Sequence, residues 1–230
     1  LQVVNGVSAT DSGLLVLPLT AGIVVGSVGA GRLTTSTGRY RRYPIIGSAL
    51  AVVGMYFLSG MTAETARLLS SCYMVVLGLG VGMVLQVTLL AVQNAVTHSD
   101  LGVATSSAQF FRTLGGSFGV AIFGAIMNAR LLEELPLRIP ADVVESLSGR
   151  VTELLSTPTA IRALPRDVAS GVTSSVEVAL QDVFFWAVPI MVLSFVLSWR
   201  LKEIPLRETV GDIPAIEGIE EATVANKTRI

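Results

Sequence analysis

Apolar positions in this chain fall in long unbroken runs rather than in alternation, separated by clusters of arginine or by polar stretches. Residues 13–31, 44–63 and 68–99 contain no Asp, Glu, Lys or Arg. Residues 101–129 carry Arg112 as their one charge, and the apolar run 183–199 is closed by Arg200 and Lys202. One crossing of the hydrocarbon layer takes about 20 helical residues. Each run therefore predicts one membrane-spanning helix, and the third is long enough to include a short turn at His98. Continuous runs disfavour a strand barrel, whose spans alternate apolar with polar. A backbone without water must bond its own amides, which a helix does. The fold class that follows is all-α transmembrane, with five full spans and the lipid bilayer as a partner.

The polar connections set the expected orientation. Arg32, Arg39, Arg41 and Arg42 crowd the connection between spans one and two, whereas the next connection, 62–67, holds a single arginine. Positive charge accumulates on the cytoplasmic side, which places loop 32–42 and the C-terminal tail inside and segment 128–182 outside. That outer segment carries five arginines and eight acidic residues, and long loops follow the rule poorly. Its Val144, Leu147, Val151, Leu154 and Leu155 recur at helical spacing, which predicts a partly helical surface segment acting either as a lid or as a spacer on the headgroups. The organisation expected is spans one to four in 1–127, an extracytoplasmic segment in 128–182, the last span in 183–201 and a disordered acidic tail in 202–230.

Composition agrees with that picture and closes off other classes. Of 230 residues 51% are hydrophobic and 14% charged, and mean hydropathy is +0.68. A net charge of −1 leaves no basic face for nucleic acid. One cysteine, Cys72, and one histidine, His98, cannot build a disulfide, a zinc site or a triad, so neither an enzyme nor a resident metal or cofactor is expected. Cys72 reads as a small packing residue in an apolar run. The chain starts at Leu1 in what reads as the end of an apolar segment, which suggests truncation upstream rather than a signal or transit peptide.

Small residues repeat every four positions at Gly22, Gly26 and Ala30, at Gly78 and Gly82, and at Gly115 and Gly119. Such faces admit close backbone approach. Gly78, Gly80 and Gly82 together predict a flexing third span, and Pro189 predicts a kink in the fifth. Polar groups inside spans face a cavity or another helix. Gln86 and Gln93 share one helical face with Met83 and Leu90, a surface suited either to lining a cavity for amphipathic molecules or to tying helices together. Gln109 precedes Arg112 by one turn, with Gly115 and Gly116 following. Arg112 reads either as an interfacial anchor or as a gating residue on a closely packed face.

The connection 31–42 holds Gly31, Leu33, Gly38 and Arg39 at the spacing of the loop motif of the major facilitator superfamily, and resembles its degenerate second copy. Thr35 and Ser36 stand where the fuller motif has an acid and a base, so the charge-pair gate of that motif does not carry over. Ser12–Leu14 with Leu17 and Pro18, the run 78–93 and the run 109–116 resemble the fourteen-helix drug:proton antiporters of the EmrB/QacA type. The resemblance implies the C-terminal helical bundle of such a transporter, N-terminally truncated, exporting drug-like molecules on a proton gradient with no cofactor. It also implies a missing N-terminal half that holds the acids assigned to proton coupling. Export of a lipid, siderophore or amino acid, or a non-transporting remnant of a broken gene, are the alternatives.

Overall fold

A computed structural model describes residues 9–62, 65–140 and 165–206. Five long helices account for nearly all of them: α1 (Ala9–Thr37), α2 (Arg42–Ser59), α3 (Arg67–Ala95), α4 (Leu101–Arg138) and α5 (Arg166–Ser198). One 3-10 turn, His98–Asp100, joins α3 to α4. No strand occurs among the described residues, and all five helices are long and apolar enough to cross a membrane.

The helices pack in the spatial order α1, α3, α2, α5, α4, so sequence neighbours are not always partners. Glycine sets this order. A Cβ on Gly22 would lie 2.7 Å from the Val75 carbonyl, and one on Gly26 would meet the Leu79 carbonyl. From the other side Gly78 and Gly82 abut the carbonyls of Leu19 and Ile23. Gly80, two residues from each and on the opposite face, sits against Gly47 and Ala51 of α2. The three glycines expected to make α3 flex are therefore used in packing α3 between two neighbours.

Three apolar clusters follow one another along the bundle. At the arginine-turn end, Ala30, Tyr40, Val87 and Ala91 are buried together. Ala51, Met55, Leu58, Leu77 and Ala187 form the next. Leu131, Leu135, Ile139, Val168, Val172, Val176 and Ala179 join α4 to α5 at the far end.

Two helices run on into the segment 128–182: α4 continues past residue 127 to Arg138, and the helix that contains the last apolar run begins at Arg166, before residue 183. At about 1.5 Å per residue the 38 residues of α4 reach about 57 Å, far beyond a hydrocarbon layer of about 30 Å. The apolar positions of these polar ends bury against each other. Gly171 allows this by leaving room for the Arg138 carbonyl, 2.9 Å from where a Cβ would sit. The expected helical pattern at Val144 to Leu155 lies outside the described residues. Cys72, expected to be buried, is exposed on α3.

Candidate functional site

The arginine turn begins where α1 ends. Gly31 and Leu33 are still helical, and Gly38 stops the helix with φ +67°, a left-handed conformation that glycine adopts without strain, its N–H donating to the Thr34 carbonyl at 3.0 Å. Arg39 follows, exposed, and Tyr40 turns inward to 1% exposure. The Tyr40 hydroxyl donates to the Lys202 carbonyl (2.8 Å) and accepts from the Ile204 N–H (3.0 Å). Arg41 donates through Nη2 to the Trp199 carbonyl at 2.8 Å, and Asn94 through Nδ2 to the carbonyls of Ile204 and Pro205, each at 3.2 Å. Residues 199–206 thus form a strap across the ends of α1, α2 and α3. The tail expected to be disordered from Lys202 is fixed as far as Leu206; the rest lies outside the described residues.

The glutamine face of α3 divides between two neighbours. Gln86 accepts from the Ser27 hydroxyl of α1 through Oε1 at 3.2 Å, and its Cγ sits 3.6 Å from where a Cβ on Gly31 would be. Gln93 donates through Nε2 to the Thr105 hydroxyl of α4 at 3.3 Å. Met83 and Leu90 pack against the cluster around Tyr40 and Val87. Seven residues of separation keep the two amides on one side of α3, but that side faces α1 near Gln86 and α4 near Gln93.

On α4 the structure groups the other candidates. Gln109, Arg112, Gly115 and Gly116 recur at three- and four-residue spacing on one side of the helix, and all four are exposed. No atom lies within 4 Å of a Cβ placed on Gly115 or Gly116. Among the described residues little packs around Arg112: α4 meets α5 through its far half, and its near half touches α3 only lightly. Among the described residues Arg112 has no ion pair.

Sequence reasoning missed two features. Tyr40 was hidden among arginines, and no pattern in the sequence set it apart as an inward anchor. At the far end Arg130 pairs with Asp182 of α5 through Nε at 2.8 Å and with Glu133 through Nη1 at 2.8 Å, while Gln181 donates to the Met61 carbonyl at 2.6 Å. Arg130, Glu133, Gln181 and Asp182 belong to the stretch read as one surface segment, so their role in joining helices was not visible.

No family model matches the chain. It is 39% identical over 209 residues, 91% of its length, to an uncharacterized MFS-type transporter of Mycobacterium tuberculosis, of which it covers 30%. It is 28% identical over 227 residues to the multidrug transporter protein MdtP of Bacillus subtilis, covering 90% of this chain and 42% of that one. Against the aspyridones efflux protein of Neocamarosporium betae it is 30% identical over 197 residues, 85% of this chain and 34% of the relative. The chain spans less than half the length of each of these relatives, which are transporters and efflux proteins and not enzymes. With five helices able to cross a membrane and this degree of identity over nine tenths of its length, the chain is similar to part of an MFS-type transporter.

Proposed function

We propose that this chain forms the last five spans of a proton-driven exporter of drug-like amphipathic molecules, of the fourteen-helix antiporter type, working by alternating access in the cell membrane. The observation that carries this reading is the uncovered near half of α4, with Gln109, Arg112, Gly115 and Gly116 exposed together. A guanidinium at that position needs a cavity or a polar partner, and the remainder of a longer transporter supplies both. Relatives named as a multidrug transporter and an efflux protein support export as the direction.

In this reading the arginine turn and strap 199–206 are cytoplasmic, and the α4–α5 extensions project on the outer side. Gln86 and Gln93 hold α1, α3 and α4 in register, while Met83 and Leu90 keep their apolar surroundings adaptable. The proton gradient is the energy source, without a cofactor. Acidic residues with described side chains on α4 and α5 all sit toward the far end, from Glu133 on and up to Asp182. The coupling carboxylate is accordingly assigned to the preceding part of the transporter.

Reconstitution of the parent protein in proteoliposomes under an imposed pH gradient tests this, with a fluorescent amphipathic cation as cargo. Gradient-dependent movement of the dye is expected. Intact, correctly inserted protein that moves none of a panel of amphipaths sinks the drug-export reading. Movement indifferent to the gradient removes proton coupling alone. The relative named for aspyridones favours, as a second reading, a dedicated natural-product exporter, which would leave dyes untouched and move a narrow class of acids or amides.

A further inference from the structure

Five cations are gathered at one end of the bundle: Arg39, Arg41 and Arg42 from the α1–α2 turn, Arg200 and Lys202 from the strap. Four are exposed and Arg41 is half-buried. The fold actively brings the two groups together. Tyr40, buried between them, holds the backbone of Lys202 and Ile204 with one hydroxyl, and Arg41 clasps the end of α5 at the Trp199 carbonyl. Like charges so arranged repel, and none of the five is in an ion pair among the described residues, although Glu203 lies in the same strap and is exposed. The Nε of Arg41 is buried without a hydrogen-bond acceptor.

Among the described residues no counter-charge pairs with this group, and its position points to an anion at the membrane surface. Trp199, 55% exposed, marks the end of the last apolar run, the level at which aromatic side chains sit among lipid headgroups. Arginine presents a planar fork that suits phosphate, and clustered basic residues at the ends of membrane helices bind anionic headgroups.

We propose that the α1–α2 turn and the strap 199–206 together form a binding surface for the headgroup of an anionic phospholipid. The lipid phosphate bridges the arginines of the turn to Lys202, offsets their repulsion and holds the strap against the bundle. This assignment does not depend on what the protein transports.

The test measures binding, not transport. Purified parent protein in detergent is titrated with fluorescent phosphatidylglycerol, with phosphatidylcholine as the neutral control. Saturable, salt-sensitive binding is expected for phosphatidylglycerol and little for phosphatidylcholine. Arg39→Gln, at an exposed side chain, should weaken it roughly fivefold, and the combination with Arg42→Gln and Lys202→Gln by at least about tenfold. Arg67→Gln with Arg166→Gln, at the opposite end, should change little. Unaltered binding in the single and triple variants overturns the proposal, as does equal loss in the opposite-end control. Soluble glycerol phosphate that displaces the lipid at equal concentration overturns it too, since the surface would then be a free-phosphate site. Should the triple variant not fold, Arg39→Gln alone decides.

Discussion

Tyr40 concentrates two inter-segment hydrogen bonds in one buried oxygen, so its loss is felt at both of them. Tyr40→Phe keeps the ring in its apolar cluster and leaves the Lys202 carbonyl and Ile204 N–H to find other partners. Removing one partner of a buried hydrogen bond costs about 1–3 kcal/mol. The strap should open more often, and trypsin should cut after Arg200 and Lys202 at least about fivefold faster, because cleavage tracks the open population. Cleavage at the wild-type rate would mean that the strap is held by Asn94 and Arg41 alone. Arg112 belongs to the same scale but to the transport reading: Arg112→Ala should abolish efflux by the parent while the protein still reaches the membrane. Unchanged efflux takes Arg112 out of the pathway and leaves it as an anchor.

At the scale of elements, the glycines of α1 and α3 separate from those of α4. Gly26→Ala or Gly82→Ala places a methyl against the backbone of the facing helix, where no flexible side chain can yield. Both should push α1 from α3 and lower the thermal midpoint of the purified bundle clearly. Gly116→Ala meets nothing within 4 Å and should leave that midpoint unchanged in the isolated chain; similar losses at all three positions would refute the distinction. Small-xxx-small spacing is identical in the two places, which is why the sequence could name the packing faces but not tell a filled one from an open one. Helix existence was legible because lipid permits few alternatives to a charge-free run of twenty residues. The ends of α4 and α5 were not, since Leu131, Leu135, Val172 and Val176 bury against one another across a gap of sequence and their polar neighbours mask them from a charge count. The ties from Gln86 to Ser27 and Gln93 to Thr105 were legible only as alternatives, for an amide at helical spacing serves a cavity and a neighbour equally well.

For the molecule as a whole, the order α1, α3, α2, α5, α4 leaves two edges, and the α4 edge exposes Phe110, Phe111, Phe118, Val120 and Ile122 beside Arg112. Apolar side chains there are at home in lipid, so exposure alone does not call for a protein partner. The glycines do, because Gly115 and Gly116 expose backbone on the same side as a guanidinium, and lipid offers that combination neither packing nor an acceptor. A helix from the remainder of a longer transporter offers both. On that argument a thiol introduced by Gly116→Cys, in a Cys72→Ser background, should react readily with a maleimide in the isolated chain. In the parent protein the same thiol should react about tenfold or more slowly, because even partial occlusion leaves only the open fraction reactive. Addition of a transported amphipath should change the rate again if α4 lines the path. Equal labelling in the isolated chain and the parent would show that this edge faces lipid in both, and the transport role assigned to α4 would have to move to another helix.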